Sequence, residues 1–438
     1  MKGVILCGGI GKRMYPITED KFLLKFLGKT LLEHQIETML KVGIKDFIVV
    51  CNPINEDKIK NYFKNLKIKI EFAVQKEPKG MADALISAKH ILDGEIIVIN
   101  ANDYCDAEAY EKILDEDKKD VDSIILGYKV SSYFPGGYLR VSDKSDLIEI
   151  VEKPGEGNEP SDMVNIVVHY HKDAKKIIEY FEKTRSEKDD IYERAMSKMS
   201  EDGCRIKVIP FSGTFIPFKY PWHAFELLKY FLDNSEARIS NTAKISPKAN
   251  IEGKVIIEDN VKIFEGAFVK GPCYIGKNSV IGTNVLIWNY SQIGDCCVVG
   301  YSTEIKKSFI ADNCWFHTNY IGDSIIANNC SFGAGAVTAN FRFDEKNVKV
   351  NVNGQKIDTG LDKFGVIMGD NCKAGVNASI MPGVKVGPNS IIEPGVVAAE
   401  DVEANKIISM KKEYLIKENK IEYTDKKEEL LRRILKGK

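Results

Sequence analysis

Residues 245–305 read ISPKANIEGKVIIEDNVKIFEGAFVKGPCYIGKNSVIGTNVLIWNYSQIGDCCVVGYSTEI. An Ile or Val recurs at every sixth place, through Ile245, Ile251, Ile257, Ile263, Val269, Ile275, Ile281, Ile287, Ile293, Val299 and Ile305. Four places after each of the first ten stands a small or β-branched residue: Ala249, Val255, Val261, Ala267, Cys273, Ser279, Val285, Ser291, Cys297 and Thr303. A period of six suits neither a helix, at about 3.6 residues per turn, nor an ordinary strand, at about 2. It suits a left-handed parallel β-helix of hexapeptide repeats, a prism in which each turn leans on its neighbours. The aliphatic residue fills the interior, and the small one lets the chain turn the corner. Gly276, Asn278, Gly282, Asn284, Gly294 and Asp295 fall between them and tolerate the backbone angles a corner needs.

The beat slips after Ile305, resumes at Ile310 and Phe316, slips again at Ile321 and Ile326, and reaches Phe332. After Gly333-Ala334-Gly335-Ala336 an insertion over residues 341–364 carries Asp344, Lys346, Lys349 and Lys356. The beat then returns through Ala374, Ile380, Val386 and Ile392. Segments ejected from a β-helix are where function gathers. The repeat domain is therefore expected over residues 236–400, with a tail over 401–438. In that tail Leu430, Leu431, Ile434 and Leu435 have helical spacing, which predicts a short amphipathic helix over Asp425–Leu435, packed on the prism end.

Residues 1–235 alternate strand-like and helix-like segments. Strands are expected at Val4–Cys7, Phe47–Cys51, Ile68–Ala73, Ile96–Asn100, Ser123–Tyr128 and Val164–His169. Helices are expected at Leu31–Val42, Glu56–Leu66, Met81–Ile91, Asp106–Asp115 and Ala174–Lys183. Such alternation argues an α/β domain, Rossmann-like, with a mixed but mostly parallel sheet and ligands beyond the carboxyl ends of its strands. The chain has 438 residues, more than one core usually holds, so two domains agree with its length. A net charge of −1 with intermixed signs offers no nucleic-acid face, and no apolar run reaches membrane-spanning length. The ten cysteines form no Cys-x-x-Cys pair and read as reduced packing residues of a cytoplasmic protein, with Val4–Cys7 a buried strand rather than a signal peptide.

The first strand ends in Gly8-Gly9-Ile10-Gly11-Lys12-Arg13, with Pro16, Thr18 and Lys21 soon after. Glycines let backbone N–H groups approach a phosphate or base, and Arg13 and Lys21 add cationic charge suited to a triphosphate. Gly-Lys-Ser/Thr is absent, so this is not a P-loop. The opening resembles that of the sugar-1-phosphate nucleotidylyltransferases. So do Gln75 with Gly80-Met81-Ala82-Asp83, the strand ending at Asp103, Glu152-Lys153-Pro154, and Asn165. The resemblance implies that a sugar 1-phosphate attacks the α-phosphorus of a nucleoside triphosphate and pyrophosphate leaves. It implies Mg²⁺ on Asp103, Arg13 on the departing pyrophosphate and Lys21 on the reacting phosphate. Gly8, Gly9, Gly11, Gln75 and Gly80 would bind the nucleotide, and Glu152 and Asn165 the sugar. Lys12 stands where the family has Thr or Ser, and Asp20 and Phe22 where it has prolines. Pro217 stands where it has a second metal-binding Asp or Asn.

Where the repeat is disturbed, His317-Thr318-Asn319-Tyr320 precedes Asn340 and the lysine-bearing insertion. This constellation resembles the acetyltransferase half of the bifunctional enzymes that make UDP-N-acetylglucosamine, archaeal relatives included. The resemblance implies His317 as general base on a sugar amine attacking acetyl-CoA, a task suited to a group titrating near neutrality. Tyr320, Asn340, Lys346 and Lys349 would bind the amino-sugar phosphate, and Ala334 would lie along the CoA arm. Ser331 replaces an expected asparagine and Ile287 an expected arginine, so the acceptor is glucosamine 1-phosphate or galactosamine 1-phosphate. The nucleotide is UTP or dTTP, and the family analogy adds a homotrimer. Two further readings stand beside this bifunctional one: a nucleotidylyltransferase on a purely structural prism, and a non-catalytic regulatory relative.

Overall fold

An inward residue every six positions lets successive turns stack side chain on side chain. The computed structural model, which describes residues 1–9, 11–64, 66, 68–411, 415–421 and 426–436, stacks them in this way. From Arg238 onward, strands of two or three residues form three parallel sheets of eight, nine and eight strands. One interior column runs Ile257, Ile275, Ile293, Ile310, Ile326, Met368 and Val386. A second runs Ile263, Ile281, Val299, Phe316, Phe332, Ala374 and Ile392. The third joins Ile251, Val269, Ile287, Ile305, Ile321, Thr338 and Ile380. From Ile257 to Ile305 these residues are at most 1% exposed, and each such burial stabilises by about 1.5–3 kcal/mol. The slips in the beat shorten corners without breaking a column.

The corners correct one expectation. Asn278 and Asn284 do take left-handed angles, with φ of 59° and 57°, but Gly276, Gly282, Gly294 and Asp295 do not. The glycines lack room instead: a Cβ on Gly276 would lie 2.5 Å from the backbone carbon of Gly294 one turn on. Asp295 is a corner acceptor, taking the Lys277 N–H at 2.7 Å. Tyr290, Cys296 and Ser302 adopt φ of 58°, 56° and 53°, because stacking overrides a local cost of order 1 kcal/mol each.

In the N-terminal domain the central strand Lys2–Leu6 lies parallel to Asp46–Cys51 and Ile96–Asn100, and Lys69–Val74 extends the edge. Met163–His171 runs antiparallel to Ile96–Asn100, Ser123–Lys129 and Gly137–Val141, so the sheet is mixed rather than mostly parallel. The sequence reading missed the hairpin Gly137–Val141/Leu147–Glu152, the helix Ile191–Glu201 and the strand Ile206–Phe211.

The two domains share one hydrophobic cluster. Phe26 packs on the rings of Phe218, Phe231 and Phe309, with centroids 6.1, 5.7 and 5.4 Å away. Polar contacts brace the segment after the glycine loop on the prism. Lys25 pairs with Asp312 at 2.8 Å, Thr18 donates to Asp370 at 2.7 Å, and the Gln292 amide bonds both Lys25 and Leu27.

The tail helix spans Lys427–Leu435, and Asp425, its expected start, lies outside the described residues. Its Leu430, Leu431, Ile434 and Leu435 are exposed, so it is not packed on the prism end. Val402 and Ile408 already close that hydrophobic column. No helix among the described residues is long and apolar enough to cross a membrane.

Candidate active sites

Gly8 and Gly9 follow directly from the buried strand Lys2–Leu6 and Cys7, at its carboxyl end, and open onto a cleft of about 680 Å³. Gln75, 3% exposed, is aimed by two bonds from its amide nitrogen, to Gly80 O at 2.9 Å and Asp83 at 2.8 Å. A Cβ on Gly8 would lie 2.1 Å from the Gln75 amide oxygen, so Gly8 is required for that approach. Gly11, Arg13, Lys21, Gly80 and Glu152 line the same cleft. Asp103 accepts from Asn100 at 3.0 Å. Burial pushes its carboxyl up, while Lys219 and Lys21 pull it back. Burial pushes both lysines down to about 8, and Asp103 opposes this in each case.

For Mg²⁺, Asp103 offers one carboxylate. Pro217 stands directly opposite it in the strand pair Asp103–Cys105/Phe215–Pro217 and has no ligating side chain. No cluster of three or more His, Cys, Asp or Glu among the described residues is arranged for a metal. One carboxylate does fit a magnesium ion that arrives on a triphosphate, since Mg²⁺ commonly binds through one or two carboxylates plus substrate phosphates.

Asn165, 9% exposed, ends a buried hydrogen-bond chain. Ser123 donates to His171 Nδ1, and His171 Nε2–H to the Tyr192 oxygen. Tyr192 O–H then donates to His169 Nδ1, and His169 Nε2–H to Asn165 Oδ1, every link being 2.8 Å. With Asn165 Oδ1 as the terminal acceptor, this single direction fixes both tautomers and leaves the Asn165 amide N–H groups outside the chain. Both rings stay neutral because burial pushes them down, His171 to about 3. The unfolded chain, titrating near 6.5, takes up that proton first as pH falls, so His171 costs stability progressively below about pH 6.5. Denaturant titrations at stepped pH should therefore show wild-type stability falling more steeply than that of His171→Gln, by up to about 1.4 kcal/mol per pH unit. Equal slopes would refute the buried neutral imidazole.

Two residues that line this cleft, and one lysine near it, were missed from sequence. Glu193, 6% exposed, lines it with its carboxyl pushed up to about 8 by burial and by Glu152. Asn353 reaches it from the tip of the hairpin Lys349–Val352/Gln355–Asp358, inside the prism insertion. Lys219 lies two places after Pro217 and interacts electrostatically with Asp103, Arg13, Lys153 and Glu152.

On the prism, Tyr320, Asn340 and Asp323 meet. The Asn340 amide donates to Tyr320 Oη at 3.1 Å and to Asp323 at 2.5 Å. His317 sits on the corner before the Tyr320 strand, exposed rather than interior. Its backbone is held by Asn319 Oδ1, which accepts the N–H at 2.7 Å, and by Thr303, whose hydroxyl donates to its carbonyl at 3.0 Å. Ala334 is exposed one turn on, where Gly335 N–H bonds Thr318 O at 2.8 Å. Lys346 and Lys349 are exposed and make no hydrogen bond to the Tyr320 group; Lys349 begins the hairpin that leads to the other cleft.

Residues 2–213 match the nucleotidyl transferase family model, and residues 365–399 the bacterial transferase hexapeptide (six repeats) model. The bifunctional sugar-1-phosphate nucleotidylyltransferase/acetyltransferase of Sulfurisphaera tokodaii is 35% identical, over 92% of this chain and 98% of that protein. The bifunctional protein GlmU of Methanocaldococcus jannaschii is 34% identical, over 96% of this chain and 100% of that one. A solved UDP-glucose pyrophosphorylase complexed with UDP-glucose, 19% identical with a TM-score of 0.47, covers 53% of this chain and 99% of its own.

Proposed function

Since the chain belongs to the family of bifunctional sugar-1-phosphate nucleotidylyltransferase/acetyltransferases, we propose that the glycine-loop cleft performs the first of these reactions and the His317 corner the second. In the cleft, Gly8, Gly9, Gly11, Gln75 and Gly80 seat the base and ribose of UTP or dTTP. Glu152 and Asn165 take hydroxyls of the sugar. Arg13 steadies the departing pyrophosphate, and Lys21 holds the reacting phosphate. The nucleophile is already an anion, so the protein's task is to align two anions and offset their repulsion. Magnesium, held by Asp103, supplies charge neutralisation on the triphosphate when bound.

On the prism, glucosamine 1-phosphate or galactosamine 1-phosphate binds through Tyr320 and Asn340, with Lys346 and Lys349 meeting its phosphate. The amine attacks the acetyl carbonyl of acetyl-CoA, lying along Ala334. An N–C bond forms, the C–S bond breaks, and His317 takes the amine proton and returns it to the departing thiolate. The family analogy supports a cytoplasmic homotrimer acting on small molecules. The observation that carries the reading is the convergence of the glycine loop, Gln75, Arg13, Lys21 and Glu152 on one cleft.

The test is a pair of assays on purified protein. Acetyl-CoA with either hexosamine 1-phosphate should release free thiol. Mg²⁺, UTP or dTTP and a sugar 1-phosphate should release pyrophosphate. Silence in both would sink the proposal.

A further inference from the structure

We propose that Lys219 is a further fixed cation of the nucleotidyl-transfer cleft, beside Arg13 and Lys21, compensating for the metal-ligating group that Pro217 fails to offer opposite Asp103. The inference rests on the assignment of that cleft to nucleotidyl transfer.

Strand register puts Pro217 face to face with Asp103. The chain then turns back: His223 Nδ1 lies 2.7 Å from Pro217 O, which fixes the turn that carries Lys219. The Lys219 amine stands 3.6 Å from the centroid of the Phe134 ring and donates to Pro135 O at 3.2 Å. A cation over an aromatic face is attracted electrostatically, so the long side chain is held in place. The loop it rests on leads directly to the sugar end of the cleft: a Cβ on Gly137 would lie 3.2 Å from Glu152 Oε2 and 3.7 Å from Asn165 Cβ. Among the described residues neither Lys219 nor Lys21 has a carboxylate within ion-pair distance. Two half-buried ammonium groups without an ion-pair partner thus share the field of one carboxylate, an arrangement that calls for an anion.

The position suits the reacting group. Lys219 interacts electrostatically with Asp103 and Arg13 on the triphosphate side and with Glu152 and Lys153 on the sugar side. In the reaction an oxygen of the sugar phosphate forms a bond to the α-phosphorus. The bridging bond to the β-phosphate oxygen breaks, its electron pair leaves on pyrophosphate, and no proton moves. Lys219 offsets the negative charge that gathers around the α-phosphorus, as a fixed donor in a dry site does at small cost in reorganisation.

The experiment uses the full chain. Lys219→Met should lower the turnover of pyrophosphate release about 100-fold or more, Lys219→Arg should keep more of it, and thiol release should stay within about twofold. Calorimetric titration of UTP in EDTA should show about tenfold weaker binding by Lys219→Met, a readout independent of metal and turnover. Pro217→Asp should bind Mn²⁺ more tightly than wild type in the absence of nucleotide. Turnover and metal-free UTP affinity both unchanged in Lys219→Met would overturn the inference. Should wild type release no pyrophosphate at all, the assignment of the cleft falls. The UTP titration then decides for Lys219 alone, and an unchanged affinity overturns it.

Discussion

His317→Ala loses acetyl transfer by about 10²–10⁴-fold while pyrophosphate release stays within about twofold of wild type. The structure makes this substitution clean. The ring is exposed on a prism corner, so its removal leaves no interior cavity. The contacts that fix the corner, from Asn319 and Thr303, go to the His317 backbone and survive in alanine. Loss of thiol release therefore reports the missing base and not a collapsed coil. Tyr320→Phe serves as the contrast. It removes the hydroxyl that accepts from Asn340 and should raise the KM for the amino-sugar phosphate more than it lowers kcat. Thiol release, titrated with acceptor concentration, reads both. A His317→Ala protein that acetylates at the wild-type rate would move the second activity off this corner.

The prism was legible because its chemistry is repetitive. One aliphatic residue every six positions has only one way to be buried, and each column confirms the next. The slips near Ile310 and Ile326 looked like interruptions in one dimension. In three dimensions Ile310 stacks on Ile293 and Ile326 on Ile310, so only corner length had changed. Corner glycines were misread because positive φ and close approach both select glycine, and only coordinates separate them. The tail helix was placed on the prism because its leucines share a face. An apolar stripe shows that a helix has something to cover, not what covers it.

The cleft was legible to the extent that its residues are local. Gly8 through Lys21 and Gln75 through Asp83 are contiguous runs with strong spacing. Asn353 joins them from a distant segment, through a hairpin that the second domain extends into the first, and Lys219 comes near them through a turn after Pro217. No local pattern marks a lysine or an asparagine as convergent. Asn165 was named, but the chain that orients it was not: His169 and His171 share its strand, whereas Tyr192 and Ser123, which link them, lie 21 and 48 residues from His171.

Asp103→Asn should give the mirror image of His317→Ala: pyrophosphate release down about 10²-fold or more, and thiol release within about twofold. The carboxylate is the only acidic side chain of the strand pair that faces the lysines, since Pro217 contributes none. Asparagine keeps the volume and the hydrogen bond partnership with Asn100, so packing is preserved and charge alone is removed. Two consequences separate this from general damage. Lys21 and Lys219 lose the counter-charge that Asp103 gives each of them, and the strand pair keeps no carboxylate for magnesium. Raising Mg²⁺ should therefore recover part of the lost rate in Asp103→Asn but none of the thiol-release defect in His317→Ala. Pyrophosphate release measured across a magnesium series, with thermal unfolding as control, reads the difference. A rate insensitive to both the substitution and the metal would remove Asp103 from the reaction. Loss of both activities with unfolding unchanged would contradict the assignment of one reaction to each domain.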